Sequence, residues 1–554
     1  MTATPVQIEL IRNSFTAIAN EMSVTLFRGA HTAIIYEAKD CSVCLYDADA
    51  RLLGQAPGLP IFLGGLEACI RIVTEQIGKD GYRDGDVFLM NDSYLQGSHL
   101  TDITVFAPIF AGGELVGFAA TRADGGHLGG KDLGVSSDTT HIYQEGMRIP
   151  PVRLVKEGVL DEELMMLVAT NSYFHDARRG DLSAQIAACY KGRERLTALY
   201  AAYGPAVIAS AQEDIFRQSA ELDAAAVAAI PDGVYTAEGF IDNDGVVDQP
   251  VPVRVTVTID GDQMIVDLAG SSGPTRGPIN SGSVQAVSAC RLAFKELVNS
   301  DKPVTGGNFR NLTVRVPEVS IFNAQEPAPC QWYYTPLGLL IDLIQRALAP
   351  ALPDRVAAAH FGDSMIVSFY GATTADSEGF AYIAAELGGW GAVSDGDGQD
   401  CMINAINGDF KCLPAEFVES RFPLSVLAWS IRQDSGGAGR FRGGSGARKV
   451  IRVDTDDVYF SCWLDRTVTP AWGLFGGEPG RPSVAVVNEG RPDERTYQKV
   501  TDVRLDRGDT VTVYTGGGGG YGTPTDRSAA DVERDVRAEY VSLGRAREAF
   551  GYAG

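Results

Sequence analysis

Residues 98–120 read Ser98-His-Leu-Thr-Asp102-Ile-Thr-Val-Phe-Ala-Pro-Ile109-Phe-Ala-Gly-Gly-Glu-Leu115-Val-Gly-Phe-Ala-Ala120. Two short apolar runs, Ile103–Ile109 and Leu115–Ala120, flank a glycine turn, which is the pattern of neighbouring strands. The polar head, His99-x-x-Asp102, sits at the mouth of the first run. Cys41–Tyr46 and Val87–Met90 read as further strands, so the chain is β-rich from about residue 40 to 150. Ahead of it, Ile8, Ile11, Phe15, Ile18, Met22 and Leu26 recur every three or four residues, which predicts an amphipathic helix over residues 5–30.

Downstream the pattern changes. Residues 160–230 turn helical, with long runs at Ala184–Tyr203 and Ala206–Ile230. Strands return at Val253–Ile259 and Met264–Leu268, and helices at Ser283–Val298 and Leu337–Ala349. From about 355 to 525 the chain is glycine-rich and β-like, and Ala529–Tyr540 closes it as a charged helix. The fold class is therefore α+β, a large mixed multi-domain assembly. Its expected regions are 1–155, an N-terminal α/β region carrying a metal site; 156–230, helical; 231–355, α+β; and 356–554, glycine-rich β with a C-terminal helix.

The 554 residues are 45% apolar, enough for a sizeable core, and carry a formal net charge of −24. So acidic a chain does not neutralise phosphates, which argues against nucleic-acid binding. The N-terminus lacks a basic, apolar leader and no window is apolar enough to span a bilayer, so a cytoplasmic protein with no membrane role is expected. Nine cysteines, an odd number at low density, read as reduced thiols. Cys41 and Cys44 form a C-x-x-C, but on a strand that spacing puts them on opposite faces.

Six histidines are present. His99 lies three residues before Asp102. His127 lies in Asp124-Gly-Gly-His127-Leu-Gly-Gly-Lys-Asp132, where glycines let the backbone approach a buried point. Asp40 opens the strand Asp40-Cys-Ser-Val-Cys-Leu-Tyr. Asp40, His99, Asp102 and His127 are thus the candidate ligands of one divalent metal, supplied from the ends of three strands. Mixed imidazole and carboxylate donors suit zinc first and manganese second. The bland alternative is turn residues around a satisfied histidine. His31, His141 and His175 read as surface or capping residues, and His360 is ambiguous. The glycine loops Gly436–Gly446, Gly476–Gly480 and Gly516–Gly522 could cradle a phosphate, with Arg440 and Arg442 beside the first. None ends as a phosphate-binding nucleotide loop, so tight structural turning is the expected role.

Ordered over nearly the whole chain, Asp40-Cys-Ser-Val-Cys-Leu-Tyr-Asp47, Asn91-Asp92-Ser-Tyr, His99-Leu-Thr-Asp102, Glu145-Gly-Met-Arg-Ile-Pro-Pro151, Asp181-Leu-Ser-Ala-Gln-Ile, Pro414-Ala-Glu-Phe-Val-Glu419, Asp434–Gly446 and Gly516–Gly522 resemble the hydantoinase B/oxoprolinase family. That family comprises B-type subunits of N-methylhydantoinases, 5-oxoprolinases, caprolactamase-like enzymes and ketone carboxylases. The resemblance implies ligands at Asp40, His99, Asp102 and His127. It also implies an A-type partner that uses ATP to phosphorylate the amide oxygen, and a hetero-tetramer or larger complex acting on a small cyclic amide. In this reading, water activated by the metal opens the ring as phosphate leaves, with Asp92 or Asp124 as general base or orienter. Two departures stand out: Phe62 occupies a place where family members commonly carry a histidine, and the segment around His127 is longer, with Asp132 a further candidate beside Asp124. The implied alternatives are a ketone carboxylase subunit of the acetone or acetophenone type, and a non-catalytic scaffold subunit.

Overall fold

The structure, a computed structural model, describes residues 2–371 and 379–554. Helix Pro5–Gly29 is started by a Thr4/Gln7 capping box and buries Ile8, Ile11, Phe15, Ile18, Met22 and Leu26, the predicted stripe. It lies on a seven-stranded sheet built from β1 (Cys41–Asp47), β2 (Leu52–Gln55), β3 (Val87–Met90), β4 (Asp102–Ala111), β5 (Glu114–Asp124), β6 (Val152–Lys156) and β7 (Val159–Leu160). The order across the sheet is β2-β1-β5-β4-β3-β6-β7 and every neighbouring pair is antiparallel.

Both faces of this sheet are covered, which is why its strands read as continuous apolar runs. Ile103, Val105, Ala107 and Ile109 face the first helix and the long helix His175–Tyr203. Phe88, Phe106 and Phe118 face the other way, against Tyr46, Tyr82, Leu66 and Ile70. The last two belong to helix Leu66–Ile77, which the β-rich reading of this region did not anticipate. Its buried residues Leu66, Cys69, Ile70 and Val73 carry a clear helical spacing. Cys41 and Cys44 do fall on opposite faces, and the nine cysteines are free thiols.

A four-stranded sheet follows, Gly233–Ile241, Val251–Asp260, Gln263–Asp267 and Leu312–Arg315, with only the last pair parallel. Helices Ser283–Leu297 and Tyr334–Leu348 pack beside it, and two antiparallel sheets of four and five strands make up the C-terminal part. The largest core joins these elements and also takes in Leu59, Ile61 and Phe62 from the N-terminal part. The expected charged helix stops at Arg537, and a further one, Leu543–Phe550, follows. Among the described residues, no helix is long and apolar enough to cross a membrane.

Of the glycine loops, the second turns tightly at Phe475–Gly476, as expected, but the third does not turn over most of its length. Gly516–Gly520 runs as one extended segment among the backbones of residues 358–361, 389–392, 435–444 and 472–480. Gly518 donates to the Gly444 carbonyl at 2.9 Å, Gly519 to Ala359 at 2.8 Å and Gly520 to Glu478 at 2.9 Å. A Cβ on Gly517, Gly518 or Gly519 would meet the carbonyl oxygen of Ser435, Trp390 or Trp472 at 1.9 Å. Glycine is required because backbone touches backbone on every side, the same logic that places glycine at a crowded axis. Most of the amides a phosphate would need, including those of Gly437, Gly443, Gly444 and Gly517 to Gly520, are already donated to carbonyls. Arg442 is buried on Asp400 and Asp535 rather than presented to a ligand.

Candidate metal centre

Strand register builds the site. Asp102 opens β4 and lies directly opposite Asp124, which closes β5. On the other side of β5, Cys41 pairs with Ala123, so Asp40 comes level with Asp124 and accepts its backbone N–H at 3.1 Å. Three carboxylates from three adjacent strands therefore meet at one end of the sheet. His99, one turn ahead of β4, adds its ring: Nε2 stands 3.8 Å from Asp102 Oδ2 and 3.9 Å from Asp124 Oδ2. One ligand atom each from His99, Asp102 and Asp124 lies within 4.8 Å of the others.

The surroundings hold these groups in place. Thr101 Oγ1 hydrogen-bonds His99 Nδ1, which leaves Nε2 to face the carboxylates. Gly126 donates its N–H to Asp124 Oδ1 at 2.6 Å, aiming Oδ2 at His99. Behind Asp102, Gln96 donates to its backbone carbonyl at 2.7 Å and accepts from Thr104 Oγ1 at 2.9 Å. The Thr104 hydroxyl is in turn bonded by the buried Arg122 Nε at 2.9 Å. This chain ties the start of β4 to β5 through side chains below the site.

The charge is not balanced by protein donors. Both Asp102 carboxylate oxygens and Asp40 Oδ1 are buried without a hydrogen-bond partner. Burial raises the Asp102 carboxyl to about 6 even though His99 works in the opposite direction. Burial, then the charges of Asp124 and Asp102, hold Asp40 well above its ordinary range. Orphaned buried oxygens are rare and costly. A proton or a cation would satisfy them, and the converging donors of His99, Asp102 and Asp124, with the Asp40 carboxylate on the neighbouring strand end, fit a divalent ion.

The cluster opens into a cavity of about 90 Å³ whose walls include Phe62, His127, Tyr333 and Tyr334. Phe62 fills its place with a buried apolar ring. Tyr333 packs its ring edge-on to His99, centroids 5.4 Å apart, and is itself buried. Nothing in the sequence flagged Tyr333, because it comes from the start of a helix some 230 positions downstream. Glu145 reaches the same cavity and accepts from Cys330 N–H at 2.8 Å, Gln331 N–H at 3.0 Å and Thr139 Oγ1 at 2.8 Å.

The other expected residues stand elsewhere. His127 lines the cavity, but its Nε2 meets the Gly130 carbonyl at 3.1 Å and its Nδ1 accepts the Tyr173 N–H at 3.1 Å. Both ring nitrogens are thereby turned to backbone. Asp124, expected as a base, is the residue that joins His99 and Asp102. Asp92 caps the short helix Ser93–Gln96 by accepting the Tyr94 N–H at 3.0 Å, with Arg148 Nε at 3.6 Å, and is not part of the cavity wall. Asp132 lines the cavity but is held by Lys131 and Ser136. His360 is a buried partner of Asp342, 2.7 Å away. His141 caps a 3-10 turn and His175 is exposed.

The hydantoinase B/oxoprolinase family profile matches residues 4–524, and the chain belongs to that family. It is 29% identical to the beta subunit of the caprolactamase of Pseudomonas jessenii over 99% of this chain and 96% of that one. It is 27% identical to the B-type subunit of a putative D-/L-hydantoinase of Pseudomonas sp. strain NS671, over 99% and 95%. The 5-oxoprolinase of Dictyostelium discoideum is 26% identical over 94% of this chain, which corresponds to 40% of that longer protein. The crystal structure of the ATP-dependent caprolactamase from Pseudomonas jessenii superposes with a TM-score of 0.92 at 28% identity, covering 100% of this chain and 96% of that one. Nucleotide-free acetone carboxylase shares the fold, with a TM-score of 0.89 at 21% identity over 99% and 79%.

Proposed function

We propose that this chain is the B-type subunit of an ATP-dependent ring-opening amidohydrolase acting on a cyclic amide of the hydantoin, oxoproline or lactam class. The observation that carries the reading is the buried, under-satisfied cluster of His99, Asp102 and Asp124 with Asp40 beside it. These four residues would hold a divalent ion, zinc or manganese; three of the four donors are carboxylates, which suit the harder ion well. Such an ion supplies Lewis acidity, polarising a carbonyl or phosphoryl oxygen and acidifying water.

The chain's own groups do the rest. Asp124, with one oxygen fixed by the Gly126 N–H, presents the other to the space beside His99 and Asp102. Tyr333 and Phe62 keep bulk water from the cluster, which strengthens each electrostatic contact within it. His127, fixed by two backbone contacts, orders the wall rather than the cluster. The names of the two Pseudomonas relatives, each one part of a larger enzyme, support a partner for this chain. The longer 5-oxoprolinase is consistent with the same part fused to others. In this reading the partner is the A-type subunit, which uses ATP to activate the ring before it reaches the cluster.

A ketone carboxylase subunit is the second reading, favoured by the shared fold with acetone carboxylase. The test is the complex reconstituted with its A-type partner, supplied with ATP and a panel of lactams and hydantoins, or with ketone and bicarbonate. Ring opening that disappears in Asp102→Asn is expected. ATP consumption that depends on ketone and bicarbonate, with no ring opened, would overturn the proposal in favour of the second reading.

A further inference from the structure

The turn Pro60–Leu63 is a wall between two cavities of opposite character. Leu59, Ile61 and Phe62 face the carboxylate cavity, while Pro60, Leu63 and Gly64 face a second one of about 410 Å³. The second lies on the aromatic face of the seven-stranded sheet, between helices Leu66–Ile77 and Ser283–Leu297 and the segment 304–310. The wall itself is pinned, because the Ser288 hydroxyl donates to the Ile61 carbonyl at 2.8 Å.

The charged side chains lining this cavity are Arg51, Glu67, Arg71, Arg291, Lys295 and Arg310. Five cations and one carboxylate in a chain of net charge −24 is a strong local reversal. Two of the five are neutralised in place: Arg51 by Asp47 and Glu213, each at 2.7 Å, and Arg291 by Glu67 at 2.8 Å. Arg71, Lys295 and Arg310 have no carboxylate within ion-pair distance among the described residues. Lys295 is half-buried and reaches only the Asn299 carbonyl, and burial lowers its ammonium from the ordinary value. The Tyr46 hydroxyl, buried at the floor of the cavity, finds no oxygen or nitrogen partner.

We propose that this basic cavity is a binding site for the phosphate group of a small molecule, separate from the carboxylate cluster. Three unpaired cations around one space match a multiply charged oxyanion better than a single carboxylate. Guanidinium forks bind phosphate oxygens two at a time, and a lysine adds a point charge. The volume is that of a small-molecule site. The inference is independent of what the carboxylate cluster does.

Calorimetric titration of the full chain with inorganic pyrophosphate, in metal-free buffer, tests it. Saturable binding of one equivalent is expected, weakened at least about tenfold in the Arg71→Ala/Arg310→Ala double variant, where two charge-assisted contacts are lost. Both residues are exposed, so the variant is expected to fold normally, which its melting temperature checks. Lys295→Met should weaken it as well, and Asp102→Asn should leave it intact. No saturable binding, binding unchanged in the double variant, or acetate binding as tightly as pyrophosphate would overturn the proposal.

Discussion

Asp102 and Asp124 face each other across β4 and β5 as a directly opposed pair, both at the site end of their strands. Like charges in that position repel and destabilise a sheet. Here the repulsion is concentrated by burial, since Asp102 is fully enclosed and both its oxygens lack donors. The pair is tolerable when His99 and a cation, or a proton, stand between the two carboxylates.

Asp102→Asn separates these cases. In chelator-treated protein the variant is expected to be more stable than wild type by roughly 1 kcal/mol, because one of the opposed charges is gone. Adding zinc or manganese should raise the wild-type melting temperature and leave the variant unmoved; at a hundredfold excess over Kd the gain is about 2.7 kcal/mol. Thermal denaturation and elemental analysis read both effects. Equal metal content in the two proteins would remove Asp102 from the ligand set.

His99 and His127 should part company in the same assay. His99→Ala removes the ring whose Nε2 faces both Asp102 and Asp124, and is expected to abolish stoichiometric metal. His127→Ala breaks two hydrogen bonds to backbone, at about 1 kcal/mol each, and is expected to lower stability while metal content holds. Loss of metal in His127→Ala would restore it as a ligand.

Glu145 sets a pH dependence away from the cluster. Burial raises its carboxyl to about 7, against the pull of its three hydrogen bonds. The folded chain then binds this proton more tightly than the unfolded chain, whose glutamate titrates near about 4.3. Its contribution to stability is therefore complete below that value, declines as pH rises through about 7 and is flat above. Glu145→Gln sets an amide donor against the N–H and O–H donors around it and should cost roughly 1–3 kcal/mol. Denaturant midpoints from pH 5 to 8 should show the wild-type advantage shrinking as pH rises; a constant gap would show that the carboxyl is not raised.

The glycine core makes a sharper claim on stability. Gly518→Ala puts a methyl 1.9 Å from the Trp390 carbonyl oxygen, and backbone cannot swing aside as a side chain can. The expected cost exceeds the roughly 1–3 kcal/mol of ordinary overpacking. Gly273→Ala, where nothing lies within 4 Å of the new methyl, should stay within about 0.5 kcal/mol of wild type. Soluble yield and melting temperature of the pair provide the comparison, and a stable Gly518→Ala would refute the close-packed account.

Local order was legible in the sequence wherever the signal repeats within a few residues. The stripe from Ile8 to Leu26, the strand Val87–Met90 and the two strands flanking Gly112 were readable, since helix and strand periods are local properties. The site's residue types were readable too, with Asp40, His99 and Asp102 marked at strand mouths and Asp124 named as a general base or orienter. Tertiary structure decided the rest. Register between β4 and β5, fixed by packing on both faces, made Asp124 a partner of Asp102; backbone contacts from Gly130 and Tyr173 turned His127 away. Tyr333 and the cations of the second cavity come from segments hundreds of residues apart, and no spacing in the chain encodes such a meeting. The glycines carry the same lesson. Residue by residue they resemble turns, and only the backbones packed around Gly516–Gly520 show that each lacks a side chain because there is no room for one.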